Sequence, residues 1–139
     1  MKVALSDGAY MPQRAHFDDA GIDMRTPIGF ILHAHEQKVV DLGVHVQIPV
    51  GYFGKMESKS GLLVNHGIMC MGGVVDSGFR GSIKVRMWNT TSEPYEFYKG
   101  DKLVQMVLIP TLCADIEDSE YLDPSASGRD NSGWGSTGR

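Results

Sequence analysis

Apolar and polar residues alternate in short runs along most of this chain, at 38–48, 51–54, 82–88, 95–98 and 102–109. In the third run Ile83, Val85 and Met87 interleave with Lys84 and Arg86. A period of two is what a strand with one buried face requires, and helical periodicity is nearly absent. Pro27, Gly29, Pro49, Gly51, Gly54, Pro94, Gly100 and Pro110 punctuate the runs as turn residues. Many short strands with regular turns predict an all-β fold: a sandwich, a jelly roll or a barrel. One or two helical turns fit around 60–65, with a plain loop as the alternative. From 119 to 139 the pattern stops. That stretch is polar and rich in Gly and Ser, as a disordered end would be. It nevertheless carries Trp134, a ring that suits a tail folding over a ligand.

The length of 139 residues points to one domain, 1–139, with a modest core and little material for a complete site of its own. No apolar run reaches membrane-spanning length. The first apolar stretch is broken by Ser6, Asp7 and Gly8, too early for a signal peptide, so a cytosolic location is expected. Cys70 and Cys113 do not make a disulfide framework and read as two reduced, buried thiols. A net charge of −4 argues against a general nucleic-acid binder, yet a local cluster of donors can still hold a phosphate.

Five segments concentrate the chemistry: 20–24 (AGIDM), 58–62 (SKSGL), 72–81 (GGVVDSGFRG), 100–105 (GDKLVQ) and 129–138 (RDNSGWGSTG). In the second, Lys59, Ser60 and Gly61 precede a possible helix start, where free N–H groups suit an anion. Equally, Ser60 there reads as an ordinary N-cap. The third segment reads as a β-hairpin, with Ser77-Gly78 as its turn and the strand from Ser82 as its second arm. Its glycines allow a ligand close to the main chain, so a base inserted there would be read by backbone groups much as a neighbouring strand is. Asp76, at the tip, is either a general base or a turn aspartate bonded to its own backbone. The fifth segment offers an arginine, hydroxyls, glycines and an aromatic face, a set that suits phosphate plus a planar ring.

Together and in this order, the five segments resemble the ordered motifs of the trimeric dUTPase family, from about Ala20 to Gly138; AGIDM, GVVDSGFRG and GWGSTG carry the likeness most strongly. The resemblance implies a jelly-roll-like β-barrel of short strands with an extended C-terminal arm, 119–139, that closes over a neighbouring subunit's site. It implies a homotrimer with sites shared between subunits. It implies hydrolysis of dUTP to dUMP and pyrophosphate, which limits uracil in DNA and supplies dUMP for dTMP synthesis. By position, Asp76 corresponds to the catalytic base, Gln105 to a group near the phosphates and the attacking water, and Asp23 to the support of a hydrated metal. Mg2+ is expected on the substrate phosphates, with water filling its shell and no direct protein ligand. Lys59, Ser60 and Gly61 correspond to holders of the α- and β-phosphates, and the backbone of Gly73, Val74 and Val75, with Lys84, to the reader of uracil. Phe79 corresponds to the ring beneath the sugar, which would leave no room for a 2′-hydroxyl. Trp134 corresponds to a ring stacked on uracil. Arg129 corresponds to a partner of the γ-phosphate, with Gly135, Ser136 and Thr137 assisting. The chain departs from the family's pattern at Lys59, where many members have Arg, at Phe79 in place of Tyr, and at Trp134 in place of Phe.

Other readings fare less well. His33 and His35 lack a third metal ligand at a convincing spacing and read as surface residues. A dCTP deaminase of this fold would carry a Glu on the strand after the hairpin, and 82–87 holds none. A dUTPase-like regulatory protein that binds a partner protein, as some phage members do, is the alternative from a different class. The presence of Asp23, Asp76, Gln105 and Arg129 together disfavours a purely non-catalytic role. For a virus- or phage-encoded member, the place of action would be the host cell.

Overall fold

The computed structural model describes residues 1–127. Eleven strands and one short helix make up these residues: β1 (Lys2–Leu5), β2 (Gly21–Arg25), β3 (Phe30–Leu32), β4 (Gln37–Asp41), β5 (Val44–Gln47), β6 (Tyr52–Ser58), α1 (Ser60–His66), β7 (Ile68–Cys70), β8 (Val74–Val75), β9 (Lys84–Asn89), β10 (Tyr95–Phe97) and β11 (Lys102–Pro110). Every strand pair is antiparallel. The strands form two pairs, β1-β5 and β10-β3, a three-stranded sheet β4-β9-β7, and a four-stranded sheet β2-β11-β6-β8. The expected all-β architecture is therefore present.

Alternation works as the sequence predicts in β9, where Val85, Met87 and Asn89 turn inward and Lys84 and Arg86 outward. β11 breaks the rule, because Leu103 and Val104 are both buried. A register shift between Lys102 and Val104 is responsible: a bulge adds a residue and re-aims the side chains on either side of it. The core draws on nearly every sheet. Met24, Leu32, Val40, Met87, Phe97, Leu103 and Met106 are all fully or almost fully buried. Buried Asn89 is fully used: its amide donates to the carbonyls of Leu32 and Glu93, and its oxygen accepts from the N–H and hydroxyl of Thr91.

Four expectations need correction. The run 38–48 is two strands in different sheets, split where Gly43 takes φ 65° and donates to the Asp41 carboxylate. A side chain at 43 would also bring its Cβ within 2.9 Å of Ala9 Cβ. The 72–81 segment is not the first arm and turn of a paired hairpin. β8 pairs with β6, β9 pairs with β4 and β7, and the turn between them crosses from one sheet to another. The helix at 60–66 exists, but Lys59 occupies its N-cap in extended conformation with no side-chain cap, and Ser60 is its first residue. Gly67 ends it in the left-handed region, φ 61°. Finally, both thiols are free, but Cys113 is exposed and only Cys70 is partly buried, where burial pushes its thiol up to about 11. β1, β2, β3 and β7 arise from stretches that the alternation pattern passed over. Among the described residues no helix is long and apolar enough to cross a membrane.

Candidate functional site

The described residues bring the sequence-derived candidates together in two groups. The first centres on Asp23, in the middle of β2. Its backbone is held on one side by β11, where it lies opposite Gln105, and on the other by Gln13, with which it exchanges both main-chain hydrogen bonds. Its carboxylate is almost completely buried and its two oxygens are divided between two cations. Lys59 Nζ pairs with Oδ1, and Lys102 Nζ lies 2.7 Å from Oδ2. Burial by itself would raise the Asp23 pKa; hydrogen bonds from Lys102 and Lys59, with their charge, outweigh it and hold the carboxyl below its ordinary 3.8.

Gln105 is fixed beside this pair. Its amide donates to the Ser58 carbonyl at 3.0 Å, which ties β11 to the end of β6 just before Lys59. Gly21 makes room for it: a Cβ there would lie 2.0 Å from Gln105 Oε1. Gly21→Ala should therefore swing Gln105 away from Ser58. The expected cost is about 1 kcal/mol of stability, the value of one hydrogen bond, together with a fall in turnover. A crystal structure of the variant with Gln105 unmoved would refute this.

Lys102 was not picked out as a site residue from the sequence. The available signal was its place in GDKLVQ, a cation on a strand next to one carrying an otherwise apolar-flanked Asp. Because the folded-state pKa of Asp23 lies below 3.8, the stability this carboxylate contributes is complete above about pH 4 and is lost as pH falls through the folded-state value. Asp23→Asn should remove that pH dependence. It should also cost about 1–3 kcal/mol at neutral pH, less than for a wholly buried pair because both lysines reach solvent. Urea titrations of both proteins from pH 3 to 7 check the two effects; parallel stability curves would exclude Asp23 as their source.

The second group surrounds a hollow of about 260 Å³, walled by Val74, Val75, Asp76, Phe79, Ser82, Ile83 and Lys84. It sits where the chain crosses between sheets. Among the described residues β8 is the last strand of its sheet, hydrogen-bonded to β6 along one edge only, and the Gly73 carbonyl extends that pairing by accepting from Met56 N–H. Asp76 and Phe79 are exposed on the wall, and the carbonyl of Asp76 accepts from the Phe79 N–H, closing the turn. Opposite, Lys84 Nζ lies 3.7 Å from Asp41. Asp41 is held low first by the Ser82 hydroxyl, which donates to it, and then by the Gly43 N–H.

None of Asp23, Lys59, Ser60, Gly61 or Gln105 lines this hollow. Ser60 and Gly61 stand exposed on the first turn of α1. A larger hollow of about 510 Å³ at the far end of α1 is lined by no residue of the five segments. His33 lies at the start of a turn and His35 has a positive φ, so neither forms part of a strand face. Among the described residues no three His, Cys, Asp or Glu side chains converge as a metal site. The expectations for Arg129, Trp134, Gly135, Ser136 and Thr137 lie outside the described residues.

The dUTPase family model matches residues 7–138, almost the whole chain. The chain belongs to the dUTPase family. Among its relatives, the deoxyuridine 5′-triphosphate nucleotidohydrolase of Debaryomyces hansenii is 35% identical over 136 residues, which are 96% of this chain and 84% of that protein. The enzyme of the same name from Clostridium novyi is 33% identical over 135 residues, covering 96% and 94%. In three dimensions the family fold is shared with the dUTPase of Staphylococcus bacteriophage 80alpha, solved with dUPNHPP: TM-score 0.90, 26% identity, 99% of this chain and 98% of that one.

Proposed function

We propose that this chain hydrolyses dUTP to dUMP and pyrophosphate, with the 260 Å³ hollow receiving the deoxyuridine and the Asp23 group receiving phosphate. The observation that carries the site assignment is the Asp76 carboxylate on the wall of that hollow, beside an edge strand with main chain to spare. Asp76 is exposed, so water can reach it. It takes a proton from a water that attacks the α-phosphorus in line, as the bond to the bridging oxygen breaks and pyrophosphate leaves. General-base help of this kind is worth roughly 10²–10⁴-fold, and positioning and charge neutralisation supply the larger remainder.

Uracil is read by the free edge of Gly73, Val74 and Val75 and by the strand start at Lys84. Cytosine would place a donor where uracil has an acceptor, leaving buried groups unpaired. The Phe79 ring lies under the sugar and excludes a 2′-hydroxyl. Lys59, Ser60 and Gly61 hold the α- and β-phosphates, and Gln105 orients the attacking water. The donor set fits Mg2+ carried in on the triphosphate rather than bound by the protein, since both oxygens of Asp23 are already engaged by ammonium groups. The ion would supply neutralisation of phosphate charge.

The separation of the two groups within one subunit supports a site completed by others. So does the segment after β11, where Leu112, Ile116, Tyr121 and Leu122 are 87–100% exposed except for Tyr121 at 79%. An apolar series left this bare is suited to packing on a second copy. The assembly proposed is a homotrimer of single-domain subunits, 1–139. In it the 119–139 arm brings Arg129 to the γ-phosphate and Trp134 onto uracil, with Gly135, Ser136 and Thr137 assisting. Pyrophosphate release from dUTP, dCTP, dTTP and UTP, measured side by side with magnesium, tests the reading. Strong preference for dUTP is expected; equal rates on all four would end it.

A further inference from the structure

We propose that His45 is a positioning residue for nucleotide selection, acting through Arg80 to hold Phe79 on the wall of the hollow. The inference rests on the reading of that hollow as the deoxyuridine site.

His45 lies on β5, outside all five segments, and its ring is partly buried between two elements. Its Nδ1 lies 2.9 Å from the carbonyl oxygen of Arg80, and its Nε2 lies 3.1 Å from the Ser6 hydroxyl at the end of β1. A carbonyl can only accept, so Nδ1 carries the proton; in the neutral ring Nε2 then accepts from Ser6. The carbonyl that His45 grips belongs to the turn that crosses between sheets. Arg80 itself reaches back over that turn, its Nη1 donating to the carbonyls of Ser77 and Phe79, each at 2.7 Å. On the other side of the turn, Ile83 N–H donates to the Val44 carbonyl, one residue before His45.

The Phe79 ring is folded over Gly81, where a Cβ would come within 2.6 Å of its Cζ. The ring is 42% exposed. Its direction is set by the backbone of 77–81, and that backbone is fastened to the body of the protein by His45. A loosened turn would let the ring drift from the sugar, weakening discrimination against a 2′-hydroxyl. It would also move Asp76, which lies at the start of the same turn.

The test compares dUTP and UTP turnover in the full-length protein and in His45→Ala, His45→Asn and His45→Gln. The Asn side-chain nitrogen falls where Nδ1 of histidine stands and can donate to Arg80; that of Gln falls nearer Nε2. Expected in His45→Ala and His45→Gln are a drop on the order of tenfold in the dUTP-to-UTP ratio of kcat/KM and a lower kcat on dUTP, with His45→Asn within about twofold of the parent. If His45→Ala does not fold, the Gln and Asn pair decides. Unchanged selectivity in folded His45→Ala, or Asn as impaired as Gln, would overturn the proposal. A parent protein that hydrolyses UTP as fast as dUTP would instead strike at the functional reading. The clamp is then judged by amide exchange of 77–81, which should speed up at least tenfold in His45→Ala; unaltered exchange would overturn the clamp on its own.

Discussion

Asp76→Asn should lose about 10²- to 10⁴-fold in kcat on dUTP, the range for a removed general base, while a non-hydrolysable dUTP analogue still binds. The substitution keeps the size of the side chain and its ability to close the turn. Because the site is exposed, stability should stay within about 0.5 kcal/mol. Loss of turnover without loss of stability or binding is thus the combined signature, read by pyrophosphate release, urea denaturation and calorimetric titration. Turnover near that of the parent would remove Asp76 from the chemistry. A variant that neither binds nor melts normally would instead assign it to the turn, the role its neighbours Ser77 and Gly78 first suggest.

The second large effect lies in the core. Phe97→Ala should destabilise the protein by about 3–5 kcal/mol, the usual cost of deleting a buried phenyl ring. Phe97 is 1% exposed, stacked on Phe30 at 4.9 Å and tilted against Tyr95 at 4.7 Å. It lies opposite Phe30 in the two-stranded β10-β3 sheet, three residue pairs long, which these rings, buried Leu32 and the Asn89 hydrogen bond to Leu32 hold to the body. Since a domain has only about 5–15 kcal/mol in hand, much of the margin would go. Urea denaturation at fixed protein concentration measures the loss; under 1 kcal/mol would mean that the neighbouring rings close the gap.

Much of this architecture can be read from the alternation of side chains. β9 follows from it almost to the residue, because it buries one face and the period of two survives in the sequence, whereas β11 is found as an apolar run whose bulge breaks the period. β3 and β7 are three residues long and β8 is two, too short for any period to declare itself. The continuous run through Asp41 and Gly43 hides a change of sheet, since a glycine in the left-handed region leaves the hydrophobic spacing intact while redirecting the chain. The hairpin reading of 72–81 failed for a related reason. Turn residues such as Ser77-Gly78 announce that the chain reverses, not which partner each arm will find.

At the candidate site, the sequence marks out residues without giving their arrangement. Asp23, Lys59 and Gln105 lie in three segments that the sequence marks out, but only strand register brings Asp23 opposite Gln105, and only the bulge in β11 explains how Lys102 comes to share the carboxylate. His45 carries no signal at all in sequence. It lies in an ordinary alternating strand, and its bond to Arg80 spans 35 residues.

The shortness of β8 has its own consequence. A bare sheet margin is a hazard, because its unpaired main chain can recruit the extended segment of another molecule and start a fibril. Here that margin is a dipeptide, Val74–Val75, bounded by glycines before it and by a tight reversal after it. On the reading proposed above it is long enough to offer one flat heterocycle its complement of donors and acceptors, and it is too short to nucleate cross-molecular ladders. Peptide groups can thus stay open to a small guest at this edge without inviting open-ended strand addition there.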